Sequence, residues 1–242
     1  MTPILTVRNL TRHYQDKAAL KDVSFNLFKG EIVGLLGLNG AGKSTALSLL
    51  SGKLLPDHGE IMFEGQDILK IQSRPNQLGF VPEGAPLFED LTVLQQLKTL
   101  AGLYGLSPQA GRTAIETAIA DFELSSVRHK RISALSKGYK RRVALAGAFL
   151  SAPRLLLMDE PTDGLDPIQK SRMLQLLRRT SAERTMLIST HSLTDVAELC
   201  DRIIILSQGR LVFDGTRQNL SARGQNGDIE SAFEALVREG ES

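Results

Sequence analysis

The apolar positions change period along the chain. Leu5 and Val7, then Val23, Phe25 and Leu27, recur at every second residue and predict antiparallel strands with one buried face. EIVGLLG, residues 31–37, is almost continuously apolar instead, the pattern of a strand covered on both faces. Helical spacing follows over 44–50, then a short strand pair near 60–63 and a buried strand, LGFVP, at 78–82 that runs into a proline loop. From 92 to about 122 the spacing is helical with a break at 105–107, and the piece over 107–122 is polar enough for a surface lobe. A helix from Gly138, the strand RLLLMD (154–159), a helix over 167–180 and the strand TMLIST (185–190) come next. A short helix over 193–199, the strand RIIIL (202–206) and a hairpin arm near 210–213 follow them. Strands alternating with helices predict a parallel α/β sheet. Beyond Ala222 the chain turns polar, with helical spacing again over 229–237; there is no repeat and no low-complexity segment.

Composition narrows the classes. With 242 residues, 42% of them hydrophobic, the chain can bury a sizeable core. A net charge of +2 makes no case for nucleic-acid binding. Cys200 has no second cysteine to pair with, which excludes an intrachain disulfide framework and fits a reducing compartment; a small buried residue at a helix end is its expected role. No run reaches the ~18 apolar residues of a membrane span, and MTPILTVRNLTRHY lacks the apolar stretch of a signal peptide. The expectation is a soluble, cytoplasmic protein whose membrane role, if any, comes through a partner.

Three short segments carry chemistry. GLNGAGKS, residues 37–44, fits the phosphate-loop pattern, and Thr45 follows it. Gly37, Asn39, Gly40, Ala41 and Gly42 allow successive backbone N–H groups to converge on phosphate oxygens. Lys43 reaches the terminal phosphates, and Ser44 is placed to hold magnesium. The chain lacks the Asn-Lys-x-Asp motif that reads guanine, so adenine is the expected base; Tyr14 is either its stacking partner or a half-buried strand residue. LLLMDEP, residues 155–161, puts Asp159 at the carboxyl end of an apolar strand, where open α/β sheets bind ligands, with Glu160 beside it. Asp159 is a magnesium ligand candidate and Glu160 a general base for the attacking water. His191 follows another buried strand and is a candidate contact for the γ-phosphate or the water, while Ser192 can cap the next helix.

One run poses a question of charge. In LSKGYKRRVALA, residues 135–146, Lys140, Arg141 and Arg142 fall in the first turns of a helix, where the dipole disfavours cations. In isolation the run reads as a solvated basic face or a nucleic-acid contact, unless a negative partner offsets it.

In this order, these motifs resemble the nucleotide-binding domain of an ATP-binding cassette (ABC) transporter, over residues 4–217. The match includes Tyr14, the phosphate loop, VPE at 81–83, LSKGY at 135–139, LLLMDE, PTDGLDP at 161–167 and His191. The resemblance implies a P-loop NTPase fold: a RecA-like core with a parallel sheet, an N-terminal antiparallel β subdomain and a helical subdomain. The domain would span 1–217, with the helical lobe inserted at about 92–150, and 218–242 would be a partly helical tail. It implies ATP and Mg2+ as ligands and a head-to-tail dimer, homo- or heteromeric, enclosing two ATP molecules.

In that dimer the segment of Ser136, Lys137, Gly138 and Tyr139 would meet the neighbour's nucleotide. Ser136 and the Gly138 backbone would face the γ-phosphate, Lys137 would either touch phosphate or point to solvent, and Asp166 would couple the two sites. ATP held by the neighbour would then be the negative partner of the basic run, with nearby carboxylates sharing the compensation. Three positions depart from the family pattern. Lys137 and Tyr139 replace a glycine and a glutamine, and Glu83 replaces a glutamine. Glu83 is either a metal-side ligand or an exposed loop acid facing the partner. These departures resemble ABC-2 export-type cassettes, including those similar to gliding-motility ATPases. The implied role is to power a separate integral membrane permease from the inner face of the membrane; a soluble ABC-type ATPase without a membrane partner is the alternative. The docking groove is expected near 83–90 and the helical lobe.

Overall fold

The computed structural model describes residues 2–71, 77–84, 86–180 and 184–240. Two strands, β1 (Pro3–Tyr14) and β2 (Lys17–Phe28), form a long antiparallel hairpin, and β3 (Ile32–Leu36) follows with all five residues buried. The phosphate loop turns into α1 (Lys43–Leu50). Next, β4 (His58–Phe63) pairs with β1 and β5 (Gln66–Asp67) with β4, closing a four-stranded sheet in the order β2-β1-β4-β5. The alternating residues Leu5, Val7, Val23 and Leu27 all point into its core, as their period requires.

After β6 (Leu78–Val81) the chain leaves the sheet for three helices: α2 (Val93–Leu103), α3 (Pro108–Asp121) and α4 (Lys137–Phe149). The sequence writes their starts. Thr92 and Gln95 form a reciprocal capping box, Ser107 caps α3 ahead of Pro108 at the first helical position, and Ser136 caps α4. The break at 105–107 is the α2–α3 turn. Phe122 and Phe149 meet edge to face, centroids 5.0 Å apart, in the core beneath these helices.

The second sheet then fills in with β7 (Leu155–Asp159), α5 (Pro167–Thr180), β8 (Thr185–Thr190), α6 (Leu193–Leu199), β9 (Arg202–Ser207) and β10 (Arg210–Thr216). Its order is β10-β9-β3-β8-β7-β6, parallel throughout except for β10. Every residue of β3, β7 and β8 is buried, because the other sheet and α1 cover one face and helices cover the other. The strand order puts β3, β7 and β8 side by side, so their carboxyl ends open onto one edge.

The chain ends in α7 (Arg217–Ser221) and α8 (Ile229–Glu239). Residues 241–242 lie outside the description. Phe233, Leu236 and Val237 pack with Leu36, Ile203, Ile205 and Phe213, so α8 covers the β9–β10 end of the sheet and shares its core. Helical spacing over 229–237 predicts the helix; where it docks is a tertiary fact.

Candidate functional site

A cleft of about 470 Å³ opens at the edge where β3, β7 and β8 end. The phosphate loop forms its floor. Gly40 and Gly42 hold φ +82° and +107°, turning the backbone so that the start of α1 faces the opening. Lys43 is only 7% exposed, and its Nζ donates to the carbonyls of Gly37 (2.8 Å) and Leu38 (3.3 Å) of its own loop. Ser44 and Thr45, in the first turn of α1, line the cleft.

The opposite wall comes from β7 and β8. Asp159, at the last position of β7, is buried and accepts a short hydrogen bond from Ser189 Oγ on the neighbouring strand. Glu160 then leaves the sheet at φ +46°, a left-handed conformation uncommon for a residue with a side chain. Its N–H donates to the Ser189 carbonyl (3.1 Å) and lies 3.2 Å from Ser189 Oγ. That turn sends the carboxylate toward the loop: Oε1 is 3.7 Å from Lys43 Nζ and Oε2 is 3.1 Å from His191 Nδ1. Glu160 is 8% exposed, so this carboxylate is held between a cation and an imidazole with little water.

Behind His191 lies a polar network that the sequence pattern does not disclose. Buried Asp195 accepts from Thr162 Oγ1 (2.6 Å) and pairs with Lys170 Nζ (2.6 Å), while Ser192 caps α6 and donates to Asp195 (2.9 Å). The loop after β7, helix α5 and the histidine loop are thereby fastened together.

The structure gathers Tyr14, Asn39, Gly40, Gly42, Lys43, Ser44, Thr45, Glu83, Glu160 and His191 around one cleft. Tyr14 ends β1 half exposed, with the Arg12 guanidinium 5.5 Å from its ring centroid. Gly37 and Ala41 shape the loop from behind, and Asp159 stands beneath the wall. Lys17, Ala19 and Asp163 also line the cleft and were not anticipated. Asp163 carries a weak signal, a third acid within DEPTD; Lys17 carries none, because only the β1–β2 hairpin brings it across. Ser136, Lys137, Gly138, Tyr139 and Asp166 lie outside this cleft. The donors offered to a metal are the Ser44 hydroxyl and carboxylates, hard oxygen ligands. That set suits magnesium, which takes one or two carboxylates and completes its shell with phosphate oxygens and water.

The family model for ABC transporters matches residues 20–163, more than half of the chain. The chain belongs to the ABC transporter family. The chain is 34% identical over 243 residues to the probable multidrug ABC transporter ATP-binding protein YbhF of Escherichia coli; the match takes in 98% of the chain but only 42% of YbhF. It is also 34% identical to the lipopolysaccharide export system ATP-binding protein LptB of Haemophilus influenzae, covering 90% of the chain and 92% of LptB. Among solved structures it resembles a dimeric ATP-binding cassette in a post-hydrolysis state bound to ADP and Pi, with a TM-score of 0.79, 27% identity and coverage of 88% of this chain and 98% of that one.

The basic run is partly paired within its own chain. Two of the three cations pair with carboxylates of the same chain, which thereby share the compensation. Lys140 pairs with Glu89 (2.6 Å) and Arg142 with Glu123 (2.7 Å), the latter guanidinium also 5.7 Å from the Tyr139 ring centroid. Arg141 turns inward and donates to backbone carbonyls. Lys137, by contrast, stays exposed, its Nζ 3.8 Å from Asp163. Asp166 caps α5, accepting from the N–H of Gln169 at 2.9 Å.

Proposed function

We propose that this ABC ATPase is the energy-supplying subunit of an exporter: it hydrolyses ATP as a head-to-tail dimer, homo- or heteromeric, and so drives a separate integral membrane permease. The reading rests on one observation above all: Glu160, Lys43 and His191 converge at the mouth of the phosphate-loop cleft. In this reading the loop N–H groups and Lys43 bind the phosphates, and Tyr14 stacks on the adenine. Glu160 accepts the proton of the attacking water, and His191 orients Glu160 and contacts the γ-phosphate. A general base so placed contributes roughly 10²–10⁴ in rate. Ser44 and Asp159 would hold magnesium, with Glu83 on the metal side, and the metal would neutralise charge on the phosphates.

The second half of each composite site would come from the partner. The Ser136 cap, the N-terminus of α4 with Gly138, and the Lys137 and Tyr139 side chains lie outside the cleft of their own chain, where a second copy's nucleotide can meet them. Asp166, at the start of α5, would couple the two sites. Export is favoured by the names of relatives, multidrug and lipopolysaccharide transport among them. No helix among the described residues is long and apolar enough to cross a membrane, which suits a subunit that sits on the cytoplasmic face of a permease. The docking surface would use residues 83–90, of which 85 lies outside the described residues, together with α2 and α3.

Glu160→Gln tests the chemistry. It keeps the size of the side chain and removes the base, so the variant should bind ATP, lose at least about a hundredfold in turnover and accumulate as a closed dimer on size exclusion. Turnover at the wild-type rate would remove Glu160 from the mechanism. Co-purification of a polytopic membrane protein tests the partner; recovery from membranes without one would favour a soluble ABC ATPase instead.

A further inference from the structure

Arg141 is the member of the basic run that charge pairing does not explain. It lies in the first turns of α4, is 6% exposed, and none of its N–H groups forms a direct ion pair among the described residues. Its hydrogen-bond acceptors are three backbone carbonyls from two other segments. Nε donates to Pro161 (3.1 Å), Nη2 makes a short bond to Glu160, and Nη1 reaches Pro82 (3.4 Å). Pro82 begins the loop that carries Glu83, and Glu160 and Pro161 begin the loop after β7. One guanidinium thus bridges α4, the Glu83 loop and the candidate general base.

We infer that Arg141 is a positioning residue for hydrolysis, helping to hold the Glu160 backbone in its left-handed turn and tying it to the Glu83 loop and to α4. The inference rests on the reading of Glu160 as the base. Glu160 sits at φ +46°, a conformation that persists only when surroundings over-determine it. Contacts on both sides of the residue hold it there: Ser189 accepts from its N–H, and its carbonyl accepts from Arg141 and from the Asp163 N–H at 3.1 Å. Without Arg141 the carbonyl would keep only the Asp163 N–H of its own loop and lose its tie to α4, so the turn could relax and shift the carboxylate away from Lys43 and His191.

The guanidinium fork suits this task because it delivers N–H groups in fixed directions to acceptors on different segments; an ammonium group cannot reproduce that spread. Burial works against the charge and lowers the pKa of Arg141, while Asp163, Glu83, Asp159 and Glu160 offset the cost from a distance. The same cation therefore lies within the field of the acids that surround the phosphate site.

The test uses the full chain carrying Arg141→Met or Arg141→Lys, each alone and combined with Glu160→Gln. We measure the Kd for a fluorescent ATP analogue, kcat, KM and ATP-driven dimer closure. Displacing a reacting group by ~1 Å costs on the order of a hundredfold, so Arg141→Met should lower kcat by about 10- to 100-fold with Kd within about threefold of wild type. Arg141→Lys should fall between the two, and it supplies the readout if the Met variant does not fold. In the Glu160→Gln background neither change should reduce residual turnover further or alter dimer closure, because the residue they position is already disabled. A wild-type kcat, a parallel loss of ATP affinity, or a full additional loss in the Glu160→Gln background would each overturn the inference. If Glu160→Gln alone turns over at the wild-type rate, it is the general-base reading that fails, whatever the Arg141 variants do.

Discussion

Two glycines of the phosphate loop have similar backbone strain but different surroundings, and that difference sets up a quantitative test. Gly40 has φ +82° and open space where a Cβ would go. Gly42 has φ +107°, and a Cβ there would come within 2.5 Å of the Ala19 carbonyl oxygen and 2.8 Å of Leu20 Cδ2. Neither neighbour can move cheaply. Ala19 belongs to β2, whose next residues include the fully buried Leu20 and Lys21, the latter bonded through its N–H to Gly209. Alanine at position 40 therefore faces dihedral strain alone, about 1–2 kcal/mol. Alanine at 42 adds a clash resolved only by shifting the loop, for a total of about 2–4 kcal/mol.

Because ATP binding requires the loop's N–H groups in register, that cost should appear in affinity. At 1.4 kcal/mol per tenfold, Gly42→Ala should weaken ATP about 30- to 700-fold and Gly40→Ala by about 5- to 30-fold. Equilibrium titration with a fluorescent ATP analogue measures both, with thermal unfolding of the nucleotide-free protein as a control for global damage. Equal effects of the two substitutions, or a Gly42→Ala affinity within threefold of wild type, would refute the steric argument.

Three further outcomes follow from other parts of the molecule. Glu83→Gln should shift the magnesium dependence of hydrolysis to higher concentration, and an unchanged titration would make Glu83 a loop acid rather than a metal-side ligand. Phe233→Ala should cost about 3–5 kcal/mol by opening a cavity beneath α8, a fall in Tm of roughly 6–20 °C; a loss under ~1 kcal/mol would mean that α8 is not integral to the core. Burial pushes the Cys200 thiol up to about 12 from 9.0, its Sγ lying against Gly34. The folded state therefore keeps a proton that the unfolded chain releases above pH 9. Its contribution to stability is complete below that pH and lost as pH rises toward 12. Urea unfolding at pH 8 and 10 should show a steeper decline for wild type than for Cys200→Ala, and identical slopes would contradict the assignment.

Much of the cleft was legible before any coordinates because its parts are contiguous. A phosphate loop needs its glycines, lysine and hydroxyl within a few residues, and Asp159 and Glu160 are adjacent at the end of a strand whose burial is written in its apolar run. The caps at Ser107, Ser136 and Ser192 are equally local, each side chain reaching an N–H three residues on. Even the break between α2 and α3 follows from a Gly, a Ser and a Pro in succession along four positions.

What local pattern could not supply is who meets whom at long range. Lys140 finds Glu89 51 residues away and Arg141 reaches the Pro82 carbonyl 59 residues away, so a run that reads as one basic face is split between a surface ion pair and a buried bridge. Lys17 and Asp163 join the cleft because the β1–β2 hairpin packs beside the six-stranded sheet, and Asp195 links three segments because that sheet sets β7 beside β8. The helical pattern over 229–237 likewise has an apolar face, but nothing in its period names the β9–β10 end of the sheet as its cover. Periodicity records what each segment must hide, whereas the identity of the surface that hides it depends on packing among distant segments.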